Sequence, residues 1–307
     1  MKKESVIRIA TRASQLALWQ SRFVASKLIA LNPDLRIEFI EITTEGDRVL
    51  DMSLSKIGGK GLFIKELEVA LLESRADLAV HSMKDLPNAI SPEFCIASIL
   101  GREDARDVLV TSNGYDLTTL PAGATVGTSS LRRRSQILAL RRDLNIRDLR
   151  GNVTTRLEKQ QSGQYDAIVL AAAGLKRLGL ISEKCAYLGL DELVPAVGQG
   201  AIGVEVCTAR TDVQSLVAPL NCESSANCVK AERSMNKILN GSCQVPIGGH
   251  AVIKNDKLVL TGVVASIDGQ LLINRRLAAP KSDAERLGET LANRLIEAGA
   301  DKILSAV

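Results

Sequence analysis

Two short segments of the sequence combine residues that could do chemistry, and Lys84-Asp85 is the first. It follows a strand predicted at residues 77–80 and precedes Leu86-Pro87, which ends that strand. In open α/β sheets, ligands bind at the carboxyl ends of strands. A carboxylate at such a place can stabilise a cation or transfer a proton. The alternative interpretation is a turn aspartate beside its own lysine.

The second segment is the loop around Cys243, which small residues surround, with glycine at positions 241, 248 and 249. A loop of this composition leaves a sulfur accessible and lets other groups approach closely. An accessible thiol can become a thiolate and form a covalent bond. The other cysteines, at positions 95, 185, 207, 222 and 228, are expected to be small buried apolar residues.

Two predicted strand-to-helix turns carry hydroxyl groups. Residues 11–14 follow a strand at 6–10, and residues 128–130 follow a strand at 124–127. Each turn precedes a predicted helix, and backbone N–H groups and the helix dipole attract anions at such places. If the two turns belong to domains that face one another, the cleft between them would be an anion site.

Basic charge and a faint internal repeat accompany these turns. Residues 12–18 resemble residues 133–140, although the match is too short to establish a duplication. Between Arg102 and Arg177 there are eleven arginines and two lysines against eight acidic residues. The arginine fork favours carboxylates and phosphates, so the excess predicts an anionic ligand, with a solvated basic surface as the alternative.

The elements that must position these residues alternate between strands and helices. Further strands are predicted at 36–42, 166–172 and 202–206, helices at 16 onward, 62–73, 131–140 and 283–298, and an antiparallel hairpin at 257–265 and 270–277. The last third of the chain therefore differs from the first two in its pattern of predicted elements. Three α/β units fit this order better than two.

Composition excludes several classes of function. The chain has 307 residues, 46% of them hydrophobic and 3% aromatic, and a net charge of +4. Two histidines, His81 and His250, cannot build a multi-histidine metal site, and they give little support to a cysteine–histidine mechanism. Few aromatic residues argue against binding of single-stranded nucleic acid. The sequence shows neither an apolar run long enough to span a membrane nor a secretion signal, so a cytoplasmic protein is expected.

Six motifs occur in the order found in the porphobilinogen deaminase (hydroxymethylbilane synthase) family. They are Gly59-Lys60-Gly61-Leu62-Phe63, His81-Ser82-Met83-Lys84-Asp85-Leu86-Pro87, Gly127-Thr128-Ser129-Ser130-Leu131-Arg132-Arg133, Leu149-Arg150-Gly151-Asn152-Val153, Pro195-Ala196-Val197-Gly198-Gln199-Gly200 and Gly241-Ser242-Cys243-Gln244-Val245-Pro246-Ile247-Gly248. The resemblance runs from about Arg8 to the C-terminal helix.

The resemblance implies an α/β protein of three domains. The first two would resemble the lobes of type II periplasmic binding proteins around a cleft, and the third would be a small α+β domain with an antiparallel sheet. Domain 1 is expected at residues 1–100 plus 200–218, domain 2 at 101–195, and domain 3 at 222–307. The chain would return to the first sheet through the strand at 202–206.

The implied reaction is the deaminative polymerisation of four porphobilinogen molecules into linear hydroxymethylbilane, in tetrapyrrole (haem) biosynthesis. Members of the family carry a dipyrromethane, bound covalently through a thioether to a cysteine that matches Cys243. Asp85 matches the catalytic carboxylate, which would stabilise the positively charged pyrrole left by loss of ammonia. A monomer is expected, with porphobilinogen as a small-molecule substrate and neither nucleic acid nor a membrane as a partner.

The resemblance also implies residues that bind the cofactor and substrate through cations and hydrogen-bond donors. These are Arg12, Ser14, Lys60, Ser82, Lys84, Thr128, Ser129, Ser130, Arg132, Arg133, Arg150, Arg156, Arg177 and Gln199. Lys60 would reach in from a mobile loop over the active site at residues 43–61. The sequence departs from many relatives at Ser242, where glycine is expected, and this departure bears on the rate of cofactor attachment.

Two other classes of function are compatible with parts of the sequence. A two-lobed anion-binding protein without catalysis would account for the cleft and the arginines, but it leaves Asp85 and the Cys243 loop without a role. A nucleic-acid-binding protein would account for the basic middle segment, but it predicts more aromatic residues or a recognition helix.

Overall fold

The computed structural model describes residues 6–45, 64–242 and 244–306. The chain divides into two compact units. Unit 1 comprises Met1–Arg102 and Ala201–Ala226, and unit 2 comprises Glu103–Gly200 and Asn227–Val307. The predicted bounds of three domains are finer than this division and stay a prediction.

Unit 1 contains a mixed five-stranded sheet. Its strands are β1 (Val6–Arg12), β2 (Arg36–Ile42), β3 (Leu78–Ser82), β4 (Phe94–Ile99) and β10 (Ile202–Cys207), in the order β2-β1-β3-β10-β4. Its helices are α1 (Gln15–Leu31), α2 (Lys65–Leu72) and α6 (Thr211–Val217). β10 runs antiparallel to both of its neighbours, which confirms the expected return of the chain to the first sheet.

The core of unit 1 follows from the apolar central strands. Ile9, Leu78 and Val204, one from each of β1, β3 and β10, are fully buried. Strands buried on both faces are expected where helices cover a largely parallel sheet. The sheet therefore forms a buried frame from which the loops at its carboxyl edge project.

Unit 2 contains a second mixed five-stranded sheet. Its strands are β5 (Asp107–Thr111), β6 (Thr125–Gly127), β7 (Asn145–Arg147), β8 (Ala167–Ala171) and β9 (Cys185–Tyr187), in the order β7-β6-β8-β5-β9. Its helices are α3 (Leu131–Leu140), α4 (Val153–Gln161) and α5 (Ala172–Arg177).

The two five-stranded sheets share one topology. In each sheet, three parallel strands are followed by an antiparallel strand, which is β10 in unit 1 and β5 in unit 2. Each of these two strands lies just after the point where the chain passes from one unit into the other. This shared topology confirms the expected α/β class, with one sheet of the same strand order in each of the two units. It also places the carboxyl ends of three parallel strands at one edge of each sheet.

A third, antiparallel sheet lies in the C-terminal part of unit 2. It consists of β11 (Ile247–Lys254), β12 (Lys257–Ala265) and β13 (Leu272–Pro280), accompanied by α7 (Glu223–Ile238), α8 (Ala284–Glu297) and α9 (Ala300–Leu304). Met235, Leu260 and Leu291 are buried together between the sheet and the helices. The predicted hairpin is thus confirmed, while β11 and α7 are elements that the sequence did not reveal.

Most predicted elements agree with the structure to within two residues at each end. Strand 6–10 continues to Arg12, and the helix over 131–140 has the predicted bounds. Within the described ranges, no helix has the length and apolar character needed to cross a bilayer.

Candidate functional site

The first group of predicted site residues lies at the carboxyl edge of the unit 1 sheet. Arg12 ends β1 and Ser82 ends β3, and these two strands are parallel neighbours. Ser14 is the N-cap of α1, and its hydroxyl accepts a hydrogen bond from the backbone N–H of Ala17 at 3.3 Å. The Ser82 hydroxyl accepts a hydrogen bond of 2.8 Å from the side-chain amide of Gln20, a buried residue of α1.

Lys84 and Asp85 follow in a single 3-10 turn that begins directly after β3. Asp85 is exposed, and its carboxylate makes no hydrogen bond or ion pair within the described part of the chain. Met83, between them and the strand, is 1% exposed, and its N–H donates to the carbonyl of Ala201 at 3.0 Å. The turn is therefore anchored through Met83, while the carboxylate remains accessible.

A buried contact between His81 and Glu205 supports the same turn. His81 Nε2 lies 2.9 Å from Glu205 Oε2, and both side chains are buried. Glu205 belongs to β10, which pairs with β3. A Cβ at Gly203 would collide with the sulfur of Met83, so the Met83 side chain packs closely against β10 at this glycine. The His81 side chain thus holds the end of β3 to β10.

The second group lies at the carboxyl edge of the unit 2 sheet, where Thr128, Ser129 and Ser130 follow β6. Ser130 is the N-cap of α3, and the Ser130 N–H donates to the Thr128 hydroxyl at 3.2 Å. The Ser129 hydroxyl donates to the carbonyl of Leu149 at 3.0 Å and accepts from the Leu149 N–H at 3.1 Å. These contacts join the turn after β6 to the loop after β7, which carries Arg150.

Three arginines of unit 2 are half-buried near this edge. Arg150 follows β7, Arg156 lies in α4, and Arg177 ends α5 after β8. The Arg156 Nε donates to the carbonyl of Gly151 at 2.7 Å, and an Arg177 Nη donates to the carbonyl of Gly200 at 2.7 Å. Burial lowers the pKa of Arg177 to about 10, so its guanidinium is still charged at neutral pH.

Arg132 and Arg133 are buried in the first turn of α3 and share one counter-ion. Asp107, which begins β5, is fully buried, 2.8 Å from an Arg132 Nη and 2.7 Å from an Arg133 Nη. Burial of the Asp107 carboxyl raises its pKa, but the two guanidinium groups outweigh this effect and hold the pKa well below its usual range. One carboxylate against two guanidinium groups leaves a net positive charge.

Gln199 lies beneath the same arginine pair. It is 1% exposed, and its side-chain amide donates to the carbonyl of Ala105 at 2.6 Å and to Asp107 Oδ1 at 3.0 Å. The structure therefore places Gln199 as a support of Asp107.

Two predicted site residues, Lys60 and Cys243, lie outside the described residues, as does most of the predicted loop at 43–61. The faint repeat between 12–18 and 133–140 is shifted in register, because the residue of unit 2 that corresponds to Ser14 is the N-cap Ser130. The two turns are alike in structure, but the residues that match in the sequence repeat do not occupy equivalent positions in them.

Asp107 is a residue of this site that sequence reasoning missed. Its signal was an acidic residue at the start of the buried apolar strand β5, upstream of an arginine pair. A carboxylate in such a strand requires a cationic partner, because an unpaired buried charge is strongly unfavourable. The partner was already among the predicted residues, but the pairing depends on the fold.

The chemistry of the unit 2 group fits a ligand that carries several carboxylates. A dipyrromethane has an acetate and a propionate on each pyrrole. Half-buried guanidinium groups and hydroxyls at one sheet edge are the donors that such carboxylates prefer. Within the described ranges, no cluster of three or more histidine, cysteine or acidic residues could hold a metal ion.

Comparison with known proteins agrees with this chemistry. The family model described as porphobilinogen deaminase, dipyromethane cofactor binding domain, matches residues 7–215, and the model of the C-terminal domain of the same family matches residues 226–297. A porphobilinogen deaminase of Laribacter hongkongensis is 50% identical over 299 residues, which cover 97% of each chain. One of Methylobacillus flagellatus is 49% identical over 307 residues, which cover 100% of this chain and 99% of the relative.

A more distant likeness exists to solved structures of periplasmic domains. The VFT2 domain of Bordetella pertussis BvgS is 16% identical, with a TM-score of 0.43, and the match covers 71% of this chain and 87% of that domain.

These matches define the class of protein as a transferase of tetrapyrrole synthesis with a dipyrromethane cofactor. The chain belongs to the porphobilinogen deaminase family. Its activity is that of the family, the synthesis of hydroxymethylbilane from porphobilinogen. The alternative of an anion-binding protein without catalysis is set aside, as is that of a nucleic-acid-binding protein.

Proposed function

We propose that the residues described above divide the work of this reaction between the two units. Unit 1 supplies the carboxylate that handles charge and protons, and unit 2 supplies the cations that bind the carboxylates of the pyrrole chain. When bound, the dipyrromethane supplies a primer whose terminal ring accepts each new pyrrole. The observation that carries the proposal is the accessible Asp85 carboxylate on a turn that is otherwise buried and anchored.

Asp85 is the catalytic residue in this proposal. Loss of ammonia from porphobilinogen leaves a positively charged pyrrole, and a nearby carboxylate stabilises that cation and the pyrrole N–H. The same carboxylate oxygen can accept the proton that is released when the ring becomes aromatic again. Because Asp85 makes no bond within the described ranges, its oxygens are available for both roles.

The other residues of unit 1 bind and orient in this proposal. Arg12, at the end of β1, and Lys84, in the Asp85 turn itself, supply positive charge, and Ser14 and Ser82 supply hydroxyls at the ends of neighbouring elements. Because these cations bind the carboxylates of the substrate, the Asp85 carboxylate can interact with the reacting ring.

In unit 2, the half-buried arginines bind acetate and propionate groups. Arg150 follows β7, Arg156 lies in α4 and Arg177 ends α5, and Arg132 and Arg133 add the net charge that Asp107 leaves unbalanced. Thr128 and Ser130 donate hydrogen bonds from the adjoining turn, and Ser129, whose hydroxyl donates to the Leu149 carbonyl, holds that turn in place. Gln199 takes part through Asp107.

Attachment of the cofactor is proposed at Cys243, through a thioether, with Lys60 contributing from the loop at 43–61. Both residues lie outside the described ranges, so the support is the match of Gly241-Ser242-Cys243-Gln244 and Gly59-Lys60-Gly61 to the family motifs. A covalent tether keeps a growing anionic chain bound through repeated additions.

The cellular setting is also a proposal. We propose a monomeric cytoplasmic enzyme with porphobilinogen as its small-molecule substrate and no nucleic-acid or membrane partner. None of the five described cysteines forms a disulfide, which is compatible with a reducing compartment. The domain bounds 1–100 plus 200–218, 101–195 and 222–307 belong to the same proposal.

The purified full chain, incubated with porphobilinogen, tests the reaction. We expect four molecules of ammonia for each linear tetrapyrrole formed. Cys243→Ala should neither carry pyrrole nor turn over substrate, because it cannot form the thioether. Cys185→Ala, at a half-buried cysteine of β9, is the matched control and should retain activity. An active Cys243→Ala protein would show that the cofactor is attached at another residue.

A further inference from the structure

A second buried carboxylate of unit 2, that of Glu232 in α7, joins two segments of the chain. Glu232 is fully buried. Its Oε2 accepts the backbone N–H of Gly198 at 2.7 Å, and its Oε1 accepts the backbone N–H of Ala251 in β11 at 2.7 Å. Hydrogen bonds to a charged acceptor are about twice as strong as neutral ones. The carboxylate therefore fixes the 195–200 loop to the third sheet.

The same loop is held to β11 by packing that needs glycine. The N–H of Gly249 donates to the carbonyl of Pro195 at 2.9 Å. A Cβ at Gly248 would lie 2.8 Å from the carbonyl oxygen of Val194, closer than real contacts allow. Gly198 itself has φ +72°, a conformation that favours glycine. The loop is thus in close contact with β11.

From this loop, polar contacts continue to the arginine pair. Gln199 adjoins Gly198, and its amide donates to Asp107 Oδ1 at 3.0 Å. Asp107 in turn holds Arg132 and Arg133. Every side chain in this sequence of contacts is buried.

We infer that Glu232 is a positioning residue, which acts through Gly198, Gln199 and Asp107 to set the orientation of Arg132 and Arg133. The inference rests on the proposed function in one respect, namely that the arginine pair binds pyrrole carboxylates. Glu232 does not touch the substrate in this account. It links the third sheet, whose strand β11 begins four residues after Cys243, to the cations that bind the pyrrole chain.

The requirement is for a carboxylate and not merely a polar group. Both oxygens of Glu232 face backbone N–H donors. In Glu232→Gln, one of those positions becomes an NH₂ group that faces an N–H, so one bond is lost and two donors oppose each other. Residues that bind substrate equally in the ground and transition states affect KM with little change in kcat. A displaced arginine pair should therefore raise KM.

The test compares Glu232→Gln with Glu289→Gln, which removes the same charge from an exposed position of α8. For Glu232→Gln in the cofactor-loaded enzyme, we expect KM for porphobilinogen to rise about tenfold, with kcat within about twofold of wild type. Glu289→Gln should match wild type. A Glu232→Gln enzyme with the kinetics of Glu289→Gln overturns the inference.

A double-mutant cycle separates this path from general destabilisation. Gln199→Met removes the amide that holds Asp107 and should also raise KM about tenfold. If Glu232 acts through Gln199, the double variant should show about a tenfold rise, because both changes break one path. A rise of about a hundredfold would mean independent effects and would overturn the inference.

Should Glu232→Gln not fold, Gly198→Ala disturbs the same loop at its positive φ and must show the same non-additivity with Gln199→Met. Turnover by the wild-type enzyme reports on the proposed function separately. An inactive wild type would refute the proposed function and this inference with it, whereas an active wild type with additive variants would refute the inference alone.

Discussion

Asp85 and Asp77, eight residues apart, have opposite surroundings. Asp77 is bound by Arg8 at 3.1 Å and by Arg210 at 3.0 Å. Burial raises the pKa of Asp77, but the hydrogen bonds from Arg8 and Arg210 outweigh it and lower the pKa overall. Asp85 has no such partners within the described residues. A carboxylate without internal partners contributes little to stability and is available to a substrate.

Asp85→Asn should therefore separate catalysis from folding. Loss of the charge removes both the stabilisation of the cation and the proton acceptor, so kcat should fall at least about a hundredfold. The free energy of unfolding should change by no more than about 0.5 kcal/mol, because the side chain is exposed. Steady-state kinetics and thermal unfolding measure the two effects. Asp34→Asn, at an exposed aspartate between α1 and β2, is the control and should match wild type. Near-normal turnover of Asp85→Asn would show that Asp85 is not the catalytic residue.

Asp107 should instead govern stability and its dependence on pH. Asp107→Asn leaves two buried guanidinium groups without their counter-ion, at a cost of about 3–5 kcal/mol at neutral pH. The pKa of Asp107 is lower in the folded state than in the unfolded state. Its contribution is therefore fully present above the unfolded pKa of about 3.9 and is lost as the pH falls toward the folded value.

Thermal unfolding of wild type and Asp107→Asn between pH 7 and pH 3 measures this contribution. The difference between them should stay constant down to about pH 4 and shrink below it. A difference that shrinks already between pH 7 and pH 5 would contradict the assignment of the effect to Asp107.

At the scale of elements, the site depends on where parallel strands end. β1 and β3 bring the Arg12 turn and the Asp85 turn to one sheet edge, and β6 and β8 do the same for the Ser130 and Arg177 segments. Each turn of the candidate site is thus held by strands that are themselves buried. Close packing beneath a turn is as important as the residues on it.

Gly203→Ala tests this packing beneath Asp85. A methyl group at residue 203 of β10 would collide with the sulfur of Met83, so the buried Met83 side chain must shift beside the Asp85 turn. We expect a loss of about 1–3 kcal/mol in stability, together with a fall in kcat. Gly101→Ala is the control, because nothing lies within 4 Å of its Cβ, and it should be neutral in both measurements. Unchanged kcat in a destabilised Gly203→Ala enzyme would show that the turn does not depend on β10.

The elements that the sequence revealed are those with a strong local signal. The alternating or continuous apolar strands β1, β2, β8 and β12 were predicted to within two residues of the observed ends. In contrast, α7 was not predicted, and its buried side chains include Glu232. In a sequence, a glutamate is expected to lie at the surface. The backbone groups that allow Glu232 to be buried come from distant segments, so they are known only from the fold.

At the scale of the whole molecule, the motifs predicted the family because six of them occur in one order. Repetition of one sheet topology in both units was not visible in the sequence, since the faint repeat at 12–18 and 133–140 has a different register from the structure. The predicted site residues were identified by resemblance, but their division into accessible and buried groups was not. That division follows from tertiary contacts such as those of Asp107, which join residues 25 or more positions apart.

The mass of the intact, denatured protein tests the central claim most directly, namely that this chain builds pyrroles on a covalent primer at Cys243. After incubation with porphobilinogen, we predict an excess over the chain mass that equals two linked pyrrole units, confined to the peptide that contains Cys243. The same treatment of Cys243→Ala should leave the bare chain mass. A wild-type protein that keeps the bare chain mass after incubation, or that carries the excess on another peptide, would contradict the claim.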